Sequence, residues 1–104
     1  MKLRRYEILL PLFYNDGNRV EKEKFLVTHK ELVEKFGAAT TDTTKIVGKW
    51  IYQNQLYEDK LIRVTIDAEP SDDIDEYFKQ YKELLKERFK QIDIWITRHE
   101  IDVI

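Results

Sequence analysis

Leu61-Ile62-Arg63-Val64-Thr65-Ile66 alternates apolar and polar residues at period two, and Glu69-Pro70-Ser71-Asp72-Asp73 then breaks the pattern. Successive side chains of an extended strand point to opposite faces, so Ile62, Val64 and Ile66 share one side. The break carries the marks of a helix start: Pro ahead of a Ser cap, with acids where the helix dipole favours negative charge. The helix is expected to run roughly to Lys90, with Ile74, Tyr77, Phe78, Tyr81, Leu84, Leu85 and Phe89 forming one apolar stripe. A strand feeding an amphipathic helix is half of a repeating unit, and the flanking sequence supplies the other half.

Upstream, Ile46 to Tyr52 is rich in strand formers, and Gln53-Asn54-Gln55 reads as a short loop joining it to Leu61–Ile66 as a hairpin. Ala38 to Lys45 is small and Thr-rich, a connection or a weak strand start. Before it, Glu21 to Phe36 places Phe25, Leu26, His29, Leu32, Val33 and Phe36 on one helical arc. Lys30 with Glu34 and Glu31 with Lys35 are expected to pair on its solvent face, and Gly37 suits its left-handed end. Tyr6 to Phe13 puts Tyr6, Ile8, Leu10 and Leu12 on one side of a first strand, which stops at the turn-forming Asn15-Asp16-Gly17-Asn18. At the other end Ile92, Ile94 and Ile96 alternate with Asp93, Trp95 and Thr97, predicting a last strand over Ile92 to His99, extendable through Ile101 to Ile104.

The order is β-α-β-β-α-β. Two right-handed crossovers joined by a central hairpin give the split βαβ arrangement, a ferredoxin-like α+β fold with a four-stranded antiparallel sheet and two helices on one face. The 104 residues hold 42% hydrophobic and 12% aromatic side chains, enough for one core and one domain spanning 1–104. With no Cys there is no disulfide and no thiolate metal site, which fits a reducing, cytoplasmic setting. The apolar run Ile8 to Phe13 is too short to be a signal peptide or a membrane span. A net charge of −2 supplies no field to attract phosphate backbones, so nucleic acid is not the expected partner.

The outer sheet face is the anomaly. It is expected to carry Glu7, Leu9, Phe13, Leu61, Arg63, Thr65, Trp95, Thr97 and His99, with Trp50 or Ile51 according to register. Leu9, Phe13, Leu61 and Trp95 make a larger apolar patch than a monomer usually exposes. A second copy packed face to face would cover it, giving a homodimer or other homo-oligomer. The other covers are the chain's own long Arg and Glu side chains with its tail Ile101 to Ile104, folded over the patch, or a different protein.

Arg5-Tyr6-Glu7, Leu10-Pro11-Leu12 with Tyr14-Asn15-Asp16-Gly17, Lys24-Phe25-Leu26, Glu31-Leu32-Val33 with Phe36-Gly37, and Tyr81-Lys82 with Lys86-Glu87-Arg88-Phe89 resemble a family of small uncharacterised bacterial proteins of about this length. The resemblance implies an α+β fold in a bacterial, intracellular setting and brings no cofactor or catalytic residue. Ala38-Ala39 stands where that pattern would have a further Gly.

Candidate chemistry is sparse. His29 lies inside an apolar arc and needs a partner for its ring N–H. His99 stands near a strand end on the open face beside Arg98 and Glu100. The two histidines have no companion at ligand spacing, so no metal site and no cofactor is expected. Asp16 follows the first strand, a position similar to the acidic residue of small CRISPR-associated ferredoxin-like nucleases, although ordinary turn chemistry is the expected reading of Asn15-Asp16-Gly17-Asn18. Asp72, Asp73, Asp75 and Glu76 are acids of a first helical turn. Lys79, Lys82, Lys86 and Lys90 are interleaved with Glu76, Glu83 and Glu87, which are expected to pair three residues on with Lys79, Lys86 and Lys90. Arg88 projects into the apolar stripe and must stack or snorkel. Three functions follow: an interaction or assembly module; a small-molecule-binding protein or enzyme with a ligand between sheets near Trp95, Arg63 and Glu7; and a metal-dependent nuclease using Asp16.

Overall fold

A computed structural model describes the chain from Met1 to Ile104. The elements run β1 Lys2–Pro11, α1 Lys22–Phe36, β2 Thr40–Tyr52, β3 Gln55–Ala68, α2 Asp72–Arg88 and β4 Ile96–Asp102. The strands form one antiparallel sheet in the order β2-β3-β1-β4. This is the expected ferredoxin-like βαββαβ arrangement.

The core lies where the period-two reading places it. Tyr6, Ile8 and Leu10 of β1 and Ile62, Val64 and Ile66 of β3 are buried against Leu32 of α1 and Phe78, Tyr81 and Leu85 of α2, with Phe89 closing the end. Tyr6 stacks on Phe78 with ring centroids 4.2 Å apart, and Phe36 stacks on the same Phe78 at 5.4 Å, so one aromatic of α2 locks both the sheet and α1.

Several details depart from expectation. The hairpin is longer at both ends: β2 starts at Thr40 and β3 at Gln55, so the Thr-rich stretch is strand, with a register irregularity between Asp42 and Ile46. The turn is two residues, Gln53 and Asn54, with φ of 50° and 63°. Positive φ at both positions is the turn whose twist matches paired strands. β4 starts at Ile96 rather than Ile92, because the chain reverses at Lys90 (φ 54°) and Ile8 is the last β1 residue paired with it. Ile92 is consequently 52% exposed, while Ile94 is buried.

On α1, Leu26 is exposed and Thr28 is fully buried, its hydroxyl returned to the Lys24 carbonyl at 2.7 Å. Glu31 does not pair with Lys35. It faces Arg88 of α2 through two contacts of 2.6 and 3.0 Å, and Tyr81 donates to it at 2.9 Å. Arg88 also donates to Thr28 at 2.7 Å, so the cation anticipated to snorkel is clamped between the helices. On α2, Lys79 and Lys86 pair with Glu76 and Glu83 as expected, but Lys82 reaches Asp93 at 2.9 Å and Lys90 lies over the Tyr14 ring.

Candidate functional site

Register and burial together assign the faces. Because Glu7 lies opposite Thr65 and Thr97, Leu9 opposite Arg63, and Arg5 opposite Asp67 and His99, these residues occupy the face away from the helices. That face divides in two. Toward the β1 start it is polar: Arg5 forks onto Asp67 at 2.8 and 2.9 Å, and Arg63 faces Glu7 at 3.5 Å. The Arg63 Nε is shielded from solvent without an aligned hydrogen bond. His99 is exposed beside this polar half. Arg5 holds the Asp67 carboxyl below the usual carboxylate range, chiefly through its hydrogen bonds.

Toward the hairpin tip the face is apolar and concave. Leu9, Leu61, Trp50, Tyr57, Ile92 and Trp95 line a cleft of about 710 Å³, a volume within the range of small-molecule sites. The two-residue turn sets Trp50 opposite Tyr57, and the rings stack at 4.7 Å. Trp50 donates its indole N–H to Asp59 at 2.6 Å. Across the cleft Trp95 is 62% exposed, its carbonyl held by the Leu9 N–H at 3.0 Å. Gly48 lies opposite Asp59 in the cleft wall, and a Cβ there would only touch Leu61 at 3.6 Å.

Glu7, Leu9, Leu61, Arg63 and Trp95 are thus brought to one face, with Leu9, Leu61 and Trp95 in the cleft and Glu7 with Arg63 in the polar half. Phe13 is not among them. It lies past the end of β1, bridged to Arg19, with the Arg19 and Lys60 cations each 5.8 Å from its ring. The tail does not cover the cleft either: β4 runs on to Asp102 beside Lys2, and the Val103 N–H bonds to Met1, at the opposite end of the sheet. Asp16 spends both carboxylate oxygens on Asn18, at 2.9 Å each, in a turn where Gly17 has φ 88°. His29 finds its partner in Thr41, 3.3 Å from its Nδ1.

Tyr57 and Asp59 escaped the sequence reading, which left Trp50 and Ile51 as alternatives for the open face. Counting the hairpin from a two-residue Gln53-Asn54 turn, rather than a three-residue loop, pairs Trp50 with Tyr57 at once. Asp75 was read as one acid of a first turn. It instead reaches the sheet, accepting from Tyr6, from Arg4 at 2.9 Å and from Arg98 at 2.6 Å. Burial pushes the Tyr6 hydroxyl up to about 12, reinforced by its bond to Asp75.

No family model and no curated protein matches the chain. Solved structures do match. A phage SAM lyase in complex with S-methyl-5′-thioadenosine superposes with a TM-score of 0.70 at 15% identity, over 97% of this chain and 90% of that one. The divalent cation tolerance protein CutA1 of Thermus thermophilus gives 0.63 at 16%, over 99% and 86% of the respective chains. CutA1 of Pyrococcus horikoshii gives 0.61 at 16%, over 97% and 85%. The fold is ferredoxin-like. At these identities the likeness is one of fold, and it is the part of the sequence resemblance that the comparisons support. No helix is long and apolar enough to cross a membrane.

Proposed function

We propose that this chain is an assembly module that associates with copies of itself through the apolar half of its open sheet face. The observation that carries the proposal is Trp95, 62% exposed at the mouth of a cleft whose floor is Leu9 and Leu61, on the sheet side that no helix covers. An exposed Trp beside half-buried aliphatics is the make-up of a contact anchor. Analytical ultracentrifugation of the wild type and of Leu61→Asp tests it, and a wild type that stays monomeric at high micromolar concentration refutes it.

A second reading is favoured by the cleft itself. Its volume and its stacked Trp50–Tyr57 wall suit a small molecule with a flat ring, held on one copy or enclosed between copies. The phage SAM lyase of the same fold is in complex with one such molecule, S-methyl-5′-thioadenosine. On this reading the protein binds, or acts on, a nucleoside-like ligand. Titration of tryptophan fluorescence with S-methyl-5′-thioadenosine is expected to show saturable quenching that Trp50→Phe diminishes; an unsaturable response removes the reading.

A further inference from the structure

Among the half-buried carboxylates Glu7, Glu31, Asp59 and Asp75, three face a cation: Glu7 has Arg63 at 3.5 Å, Glu31 has Arg88 at 2.6 Å, and Asp75 has both Arg4 and Arg98. Asp59 has none. Its side-chain partner is the neutral indole N–H of Trp50, which takes one carboxylate oxygen at 2.6 Å and leaves the other without a protein donor. The remaining charges that line the cleft are spoken for, Lys49 by Glu58 at 3.9 Å and Asp93 by Lys82 at 2.9 Å. The cleft therefore offers a carboxylate of uncompensated charge beside a Trp–Tyr stack 4.7 Å between centroids. Withdrawing a carboxylate from water without a countercharge is costly. Aromatic faces attract cations, Trp most strongly. Both features select the same kind of ligand.

We propose that Asp59 and the Trp50–Tyr57 stack make this cleft a site for a small organic cation, of the sulfonium or alkylammonium class, carried on a flat-ringed molecule. The inference rests on the ligand reading of the cleft and adds the charge of the ligand to it. Trp50 holds Asp59 in place through its N–H, so the carboxylate is fixed before the ligand arrives.

The test compares two molecules that differ by one methyl group and the positive charge it brings: 5′-deoxy-5′-(dimethylsulfonio)adenosine, a sulfonium cation, and S-methyl-5′-thioadenosine, its neutral thioether. Isothermal titration of each into the wild-type protein is expected to show the sulfonium bound about tenfold more tightly or better. Asp59→Asn, whose side-chain oxygen still accepts from Trp50, is expected to bring the two affinities together by weakening the sulfonium's about tenfold. Equal wild-type affinities would overturn the cation proposal and leave the flat-ring reading standing; binding of neither would overturn both. Sedimentation of Asp59→Asn closes the remaining route: unaltered self-association is expected, and weakened association would show that a basic residue of a second copy is the countercharge, which also overturns the proposal.

Discussion

β1 has two sides, and they differ in completeness. Tyr6, Ile8 and Leu10 are 2%, 0% and 1% exposed under the helices, whereas Leu9 between them opens onto a cleft whose other wall holds a 62% exposed Trp. The same strand thus presents one face finished by its own chain and one finished by nothing in it. Interior packing on the covered side needs every side chain it has. The open side owes its cleft to the hairpin, and its apolar residues lie outside the buried core. The contrast predicts that substitutions on the two sides fail in different experiments.

On the covered side Leu85→Ala removes a fully buried side chain and should cost about 2–5 kcal/mol of folding stability, read from urea unfolding. Oligomeric state should be unaffected while the protein stays folded. On the open side the pattern reverses. Leu61→Asp forces a charge into the apolar contact and should abolish association, and Trp95→Ala should weaken it by roughly 2 kcal/mol, with native circular dichroism kept in both. Loss of fold in either mutant would mean that the open face belongs to the core after all.

The clamp between the helices belongs to the covered side, and its effect should be smaller. Arg88→Ala leaves Glu31 with Tyr81 as its one side-chain donor and the Thr28 hydroxyl oxygen without one, and should cost about 1–3 kcal/mol at neutral pH. The sign of its pH dependence follows from Glu31, whose carboxyl is held below the usual range chiefly by the hydrogen bonds from Arg88. A depressed folded-state value gives stability that is present above the unfolded-state value and lost as pH falls through the folded one. The gap between wild type and Arg88→Ala should therefore narrow on acidification below about pH 4, in denaturant curves taken at stepped pH. A gap that widens in acid contradicts the assignment.

The smallest effect is expected at Asp16. Asp16→Ala removes two bonds within an exposed turn and should cost about 1 kcal/mol or less. A divalent-metal-dependent nuclease activity in the wild type that this mutant loses, with the fold intact, would restore the acidic-residue reading.

What was legible in the sequence was whatever one strand or helix states by itself. Leu61–Ile66, the Ser71 cap and most of the stripe, Phe78, Tyr81, Leu85 and Phe89, hold as read, because period and capping are local; Leu84, expected in the same stripe, is exposed. What was not legible depended on pairing between elements. Glu31 sits as well for Lys35 as for Arg88 on a helical wheel, and only the approach of α2 to α1 decides between them. Asp75 looks like any first-turn acid until the sheet brings Arg4, Arg98 and Tyr6 to it. The cleft was half visible: Leu9, Leu61 and Trp95 follow from alternation, but Trp50, Tyr57 and Asp59 join them only once the turn is known to be two residues long. A three-residue loop would have changed which β2 side chains face Tyr57.

If the open face is an unfinished surface completed by another copy, the mass in solution must depend on concentration. Sedimentation equilibrium of the wild type beside Leu61→Asp, from low to high micromolar concentration, tests it most directly. Expected is a wild type whose apparent mass rises above that of one chain with concentration, and a folded mutant that stays at the mass of one chain throughout. Two proteins of identical single-chain mass over the whole range would contradict it.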